Sequence, residues 1–599
     1  MSCRVFLLSI VLLAPSLTAQ RAAEDPAPAA GEPVKLWVFL ADKGYAEPAA
    51  ESAAVEALAA EFPARALARR AARRTLPGLV DAADLPVAAR YLEQLAALGA
   101  EVHVTSRWLN AVSVTADAAL RARLEALPFV TGTKPVARSV EPVLAHVAAL
   151  PAAAGAADGG FYGWSQDQME LIDLDALHAL GHTGEGVVIG ILDTGFVTTH
   201  SAFHEPGHEL EIVAAWDFVN DDADVGIEAG DDPDAHFHGT FILGVLAAYD
   251  PGNLVGAAYD ASYILAKTED YTQEVPAEED LYVAGLEFIE LNGADVATSS
   301  LGYLDWYDQS DLDGHTAVTT QAVNIATANG LHCCTAAGNQ GHDLDPDTSH
   351  LMAPGDALQV LTCGAVEPTS EYGSFTSDGP TADGRVKPEV MTMGTQVKSV
   401  WPYDDVQIAE AAGTSTATPQ LAGVVACLVE AHPEWGIATM RERIIKSGSY
   451  LGSPLPDPAF IYGWGILDAD KALTLAGSWA SLPGGVAGVA GVPVLSGSGP
   501  LVGAEPVTLT LTNGKPLASA FMVVGFAQLN AAFKGGVLVP SVNLLLPGLP
   551  LNGAGGLLLT APWVKGLPAA TKVYFQLWMP DPAGVAGFSG SNGLRATTP

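Results

Sequence analysis

The sequence predicts an α/β protein at its centre, a three-layer domain on a mainly parallel sheet, preceded by a small α+β unit and followed by an all-β domain. Three observations carry this. From about Tyr162 to Ala476, short β-branched runs are each followed by Gly or Asp and then by a stretch of helical period, an alternation that places helices on both faces of parallel strands. Two stretches poor in charge and rich in Ala, Gly, Ser and Pro, Ala148–Gly160 and Leu482–Gly499, set off the flanks and have the composition of connectors. The 599 residues also exceed what one hydrophobic core accommodates. The expected division is a leader at 1–20, an α+β unit at 21–150, the central domain at 160–477, a linker at 478–499 and the all-β domain at 500–599.

Met1–Gln20 carries Arg4, a mostly apolar run from Val5 to Leu13 and small residues around Ala19, the pattern of a cleaved secretory signal. Its apolar core is too short to cross a membrane, and no later stretch offers about 18 uninterrupted apolar residues. A secreted chain without a membrane span is therefore expected. Next come a strand at Lys35–Leu40, a helix at Tyr91–Leu98, one alternating strand at Val102–Val114, a helix at Ala118–Leu127 and an extended stretch at Phe129–Val140. This order predicts a compact sheet with two helices on one face. Arg65, Arg69, Arg70, Arg73 and Arg74 read as a solvated helix face, with a processing site as the alternative.

In the central domain, strands are expected at Gly186–Leu192, Ala261–Ala266, Ala294–Ser299, Leu331–Ala336 and Gln359–Val366. In the tail, runs such as Val507–Thr512 and Val573–Trp578 alternate between turn residues, as in a sandwich or barrel. The net charge of −40 excludes a nucleic-acid partner and disfavours an anionic membrane, since both need a basic face. Cys333, Cys334, Cys363 and Cys427 lie in apolar runs and read as buried thiols, with room for one bridge, and no spacing suggests zinc.

Three short clusters in the central domain pair a reactive side chain with glycine and a small hydroxylated residue. Val187–Leu192 is an apolar strand ending in Asp193-Thr194-Gly195, at the carboxyl end where α/β folds place their sites. His238-Gly239-Thr240 opens a helical run, and Gly239 lets the backbone pass close to a neighbour; His236, two residues earlier, lacks the Gly-Thr. Gly413-Thr414-Ser415-Thr416-Ala417-Thr418-Pro419 begins the apolar helix Leu421–Ala431, placing Ser415 where free N–H groups favour a developing anion. Each cluster alone has a structural reading, as a turn, a buried histidine or an N-cap. Together they supply a nucleophile, a base and a carboxylate to orient the base. Asn339, after Thr335-Ala336-Ala337-Gly338, offers a side-chain amide for the oxyanion.

These residues resemble the subtilase family, whose order of Asp, His, Asn and Ser is matched by Asp193, His238, Asn339 and Ser415. Further similarities are His182–Gly186, Gly256–Ala261, Ser300-Leu301-Gly302, Asp383–Glu389 and Tyr462–Gly465, so the resemblance spans the central domain. It implies a subtilisin-like fold and a serine endopeptidase acting through an acyl-enzyme, with protein or peptide substrates and no cofactor for the chemistry. It also implies that Ser300, Leu301, Gly302, Ala336, Ala337 and Gly338 wall the primary specificity pocket. The unit before Ala148 is similar to a subtilase propeptide, an intramolecular inhibitor until it is cut away. Phe241, Thr416 and Gln420 depart from common family residues at positions outside the triad. Structural calcium, which many subtilases bind, has candidate places in the acidic loop Asp217–Asp234 and at Asp343–Asp347. The rival reading is a non-catalytic secreted adhesion or binding protein on such a scaffold. A lipase is disfavoured by the missing Gly-x-Ser-x-Gly elbow.

Overall fold

The computed structural model describes residues 33–138, 144–150, 160–232, 234–270, 278–304, 307–450 and 455–599. The leader read at 1–20 and most of the connector read at Ala148–Gly160 lie outside them. Strand β1 (Val34–Leu40) is followed by helices α1 (Pro48–Glu61), α2 (Ala64–Arg73) and α3 (Ala89–Ala97), strands β2 (Glu101–Ser106) and β3 (Ala111–Ala116), helix α4 (Ala118–Glu125) and strand β4 (Val130–Pro135). The strands form one antiparallel sheet in the order β2-β3-β1-β4. Side chains alternate along β1, and both of its faces are buried. Leu36, Val38 and Leu40 pack with Tyr91, Leu95 and Leu124 inside the unit, whereas Trp37 joins a core of the central domain with Tyr282 and Leu286. The single strand expected at Val102–Val114 is a hairpin instead. Asn110 takes a left-handed φ of 47° in its turn and donates its side-chain amide to Leu40 O and Asp42 O, a local solution that alternation does not reveal.

The central domain begins with helices α5 (Gln166–Glu170) and α6 (Leu174–Ala179). Strands β6 (Val188–Asp193) and β7 (Glu211–Asp217), helix α7 (Phe237–Ala247), the short pair β8 (Tyr249–Asp250) and β9 (Leu254–Val255), strand β10 (Ser262–Lys267) and helix α8 (Glu279–Leu291) follow. Then come β11 (Val296–Ser299), α9 (Val318–Ala328), β12 (His332–Ala336), β13 (Leu361–Val366) and β14 (Val390–Met393). Seven strands make one sheet, β14-β13-β12-β11-β6-β10-β7, and its neighbours all run parallel. The chain winds from β6 first to one side and then to the other, so the crevice at the carboxyl end of β6 is the place this topology reserves for a site. The five expected strands are present within about two residues.

Helix α10 (Thr414–Ala431) runs through the core, and α11 (Ile437–Ser447) and α12 (Ala469–Thr474) close the domain. A second, antiparallel sheet joins β15 (Val397–Val400) to β16 (Ile408–Ala412) and β16 to β5 (Ala145–Ala149), so part of the stretch read as a connector is a strand on the central domain. The four cysteines are free and buried.

The stretch read as a linker at 478–499 is likewise structured. It contains β17 (Ser478–Leu482) and β18 (Val494–Ser498), its glycines serving the turns between them. β19 (Pro506–Thr512), β20 (Ser519–Gly525), β21 (Gln528–Phe533), β22 (Gly536–Pro540), β23 (Leu544–Pro550), β24 (Leu557–Pro562), β25 (Lys572–Pro580), β26 (Phe588–Gly590) and β27 (Gly593–Thr597) complete an all-β unit. Its sheets β17-β27-β25-β20-β23 and β18-β19-β24 enclose Leu495, Leu511, Met522, Phe575 and Leu577. Arg443 of α11 anchors the unit through Glu505, 2.5 Å away, while stacking over Trp435.

The arginine patch overturns the expectation of a solvated face. Arg69, Arg70 and Arg73 are 3%, 1% and 6% exposed. Arg70 makes paired bonds to Asp84 and binds Glu290; Arg69 also binds Glu290, and Arg65 and Arg73 bind Asp295. Beside them, Lys35 meets Asp280 at 2.8 Å, Ser106 donates to Glu287 and the Trp37 indole donates to Glu279. Helix α2 is thus a basic plug against the acidic face of α8.

Candidate active site

Asp193 ends β6, wholly buried. Its Oδ1 lies 2.7 Å from His238 Nδ1 and also accepts the Thr194 N–H. His238 stands in the first turn of α7 and is 3% exposed. Gly239 makes the approach feasible, because a methyl group there would fall 2.3 Å from Gly195 O and 3.1 Å from Asp193 Oδ1. His236 is buried against Gly195, and burial first, then the Lys267 ammonium, hold its pKa below the usual histidine value. It packs the turn behind Asp193 and takes no part in the Asp–His pair.

Ser415 opens α10, whose first-turn N–H groups lack helical acceptors. The helix carries Pro419, which has no N–H to offer the carbonyl four residues back. That carbonyl belongs to Ser415, and Ser300 Oγ donates to it at 2.8 Å. Ser415 Oγ in turn donates to Ser300 O at 3.2 Å. His238 Nε2 is buried without a hydrogen-bond partner among the described residues. Gly413, with φ of 156°, lets the chain turn sharply into this helix.

Asn339 is fixed by the same segment. Its Oδ1 accepts both the N–H and the hydroxyl of Thr414, at 2.9 Å each. With the carbonyl so engaged, the Nδ2 end is left to donate, and it faces Gly413. The expected pocket walls follow: Ser300, Leu301 and Gly302 extend β11, and Ala336, Ala337 and Gly338 end β12. Met352, missed in the sequence, sits between them. A methyl group on Gly302 would lie 2.3 Å from Met352 Cε, and one on Gly338 2.9 Å from the same atom.

Three other features were not legible in the sequence. Thr414 anchors Asn339. Gln420, fully buried, donates to Met393 O and Thr416 O, which gives this departure from the family pattern a helix-fastening role. Just after β10, Tyr303 donates to Glu269 at 2.7 Å, and burial first, then the Glu269 carboxylate, push the Glu278 carboxyl well above the usual carboxylate range.

The expected calcium places fit an ion poorly. Asp217, Asp222 and Glu228 converge, but Asp217 already accepts the N–H groups of Val219 and Asn220, and Lys267 Nζ, 2.8 Å away, supplies the positive charge. At Asp343–Asp347 the carboxylates cap turns, Asp343 accepting from Asp345 N and Thr348 Oγ1.

With this geometry in view, two family profiles match the chain. One described as "Subtilase family" covers residues 184–465, and one described as "Peptidase S8 propeptide domain, Bacteroidota" covers residues 35–148. Subtilisin E of Bacillus subtilis (strain 168) is 30% identical over 312 residues, 52% of this chain and 70% of that protein. Subtilisin of Bacillus pumilus is 29% identical over 312 residues, 52% of this chain and 98% of its own length. A parallel-sheet domain with a buried Asp–His pair, and a serine at a helix start, is the architecture of a serine-type endopeptidase. The chain belongs to the subtilase family, with a subtilisin domain, an N-terminal propeptide domain and a C-terminal β-rich region. Catalysis in that family needs no cofactor. Among the described residues, no helix is long and apolar enough to cross a membrane.

Proposed function

We propose that Ser415 is the nucleophile of a secreted endopeptidase, with His238 as base, Asp193 as the carboxylate that orients it and Asn339 as oxyanion donor. The observation that carries the reading is the 2.7 Å bond between the buried Asp193 Oδ1 and His238 Nδ1, which fixes the tautomer that leaves Nε2 free to take a proton. In the reaction Ser415 Oγ attacks the peptide carbonyl carbon as His238 Nε2 takes the hydroxyl proton. The oxyanion accepts from Asn339 Nδ2 and the first-turn N–H groups of α10. The C–N bond breaks, His238 gives its proton to the leaving amine, and water then releases the acyl group from Ser415 by the same steps. Replacing Asn339 with alanine is expected to lower kcat by about 10²–10³ with little change in KM, measured on one peptide substrate. An unchanged kcat would remove Asn339 from the mechanism.

The walls Ser300–Gly302 and Ala336–Gly338 bound the slot for the side chain preceding the cut, and Met352 fills its depth. Small residues are therefore the preferred occupants. In processed wild-type enzyme, an alanine substrate should exceed a phenylalanine substrate in kcat/KM, and Met352→Gly should shift that ratio toward phenylalanine by at least about tenfold. Equal rates on both substrates in the wild type would sink this preference. Secretion rests on the Met1–Gln20 pattern, and the docked α+β unit acts as the intramolecular inhibitor.

A further inference from the structure

Residues 506–580 carry Lys515, Lys534, Lys565 and Lys572 and no Asp or Glu, in a chain whose net charge is −40. The acidity that argues against an anionic membrane therefore lies outside this stretch, which has the opposite sign. The same stretch exposes an unusual run of large apolar side chains. Val542, Leu544, Leu545 and Leu546 are 60%, 51%, 49% and 37% exposed, and Phe526 is 61% exposed. Alternation should turn every second residue of an apolar strand inward, yet β23 is exposed on both faces from Leu544 to Leu546.

The fold gathers these residues at one corner. β20 pairs with β23, Met522 opposite Leu546, Val523 opposite Leu545 and Val524 opposite Leu544. Beyond Val524 both strands bend. Ser541 N donates to Ala527 O, Phe526 N to Asn543 Oδ1 and Asn543 N to Val524 O, which sets Phe526 beside Val542. Gly525 permits this approach, because a methyl group there would fall 2.1 Å from Ser541 O. β21 and β22 then fold back over the sheet, where Phe533 and Leu538 pack with Val523 and Trp578. Phe526 and Val542 thus stand on the outside of the bend. Next to it β25 begins at exposed Lys572, two positions from Tyr574, the partner of Gly525.

The shape and charge of this corner select what covers it. Strand addition along the outer edge of β23 is blocked, because Pro547 lacks an N–H and Pro547 and Gly548 together face Phe521 in a bulge. A rigid second copy needs about 800 Å² of contact per partner, and a convex bend offers only a few side chains to it. A fluid bilayer closes around such a bend, taking up the apolar side chains while a neighbouring ammonium stays among the headgroups. Lysines without acidic neighbours favour anionic headgroups. We propose that the corner formed by Phe526 and Val542, with Leu544–Leu546 behind it, docks on an anionic lipid bilayer, so that the β-rich unit retains the enzyme at a membrane surface.

The test floats full-length protein carrying Ser415→Ala, which guards against self-digestion, with vesicles of phosphatidylcholine alone or mixed with phosphatidylglycerol. At low salt the anionic vesicles should carry at least about tenfold more protein than the neutral ones, and high salt should shrink the difference. Phe526→Ser combined with Val542→Ser should abolish flotation. Leu517→Ser, at an exposed leucine beyond the other end of β20, should leave it unchanged. Thermal melts of these variants should match the parent, since no altered side chain is buried. Phe526→Trp places a fluorophore at the corner, and lipids brominated in their acyl chains should quench it beyond the quenching of the parent, a signal that misfolding of the serine variant cannot imitate. Absent flotation, equal flotation on both vesicles, an equal loss in Leu517→Ser or an unquenched tryptophan overturns the proposal. If light scattering finds a dimer that the paired serine substitutions return to a monomer, the corner joins two copies and the lipid site falls. None of these outcomes bears on the roles of Asp193, His238 and Ser415.

Discussion

Replacing Ser415 with alanine is expected to lower kcat by about 10⁶-fold and to leave the chain at its unprocessed mass. The loss is expected to be this large because, in the proposed mechanism, Asp193, His238 and Ser415 act as one unit. Without the attacking oxygen, the oriented imidazole has no proton to take, and only the oxyanion donors and binding contacts remain. The fold should survive, since the substitution removes one hydroxyl whose bond is to Ser300 O, while the Ser300 hydroxyl keeps its acceptor in the residue 415 carbonyl. The check is digestion of casein together with intact mass, wild type against variant, with thermal melts to show that both are folded. A variant that still matures and digests casein would move the nucleophile elsewhere. A folded, processed wild type as inert as the variant would instead favour a binding protein on a peptidase scaffold.

The second large effect is expected at the docked α+β unit. Glu290 accepts from Arg69 and Arg70 and lies 3.3 Å from Arg107. Replacing it with leucine, in full-length protein made inert by Ser415→Ala, leaves the buried Arg69 guanidinium without its carboxylate partner and Arg70 with Asp84 alone, and should weaken the zymogen by about 3–5 kcal/mol. Trp37 is fully buried at this contact, so its fluorescence in a urea titration should report undocking at a lower midpoint. In processed enzyme the arginines are gone, and the same substitution should change stability by less than about 1 kcal/mol. A similar loss in both forms would show that Glu290 serves the central domain alone and that the basic plug does not hold the inhibitor in place.

The sequence by itself carried the division into three parts and most strands of the parallel sheet, and it nominated the reacting groups that the proposed mechanism uses. These are legible because each rests on neighbours in the chain: an apolar strand ending in Asp193-Thr194-Gly195, a histidine followed by a glycine that tolerates close approach, a glycine turn feeding Ser415 into a helix. The tertiary structure alone decided what depends on distant partners. The arginines of α2 read as a solvated face because Glu290 lies 220 positions beyond Arg70, and no local pattern distinguishes a charge facing water from one facing a buried carboxylate. Ala148 and Ala149, the last residues of β5, read as connector because their bonds are main-chain bonds to β16, which leave no mark on side-chain choice. Met352 and Thr414 gained their places only when separate strands and a helix converged, since a pocket is the space between elements and its shape is set by packing rather than by any one segment.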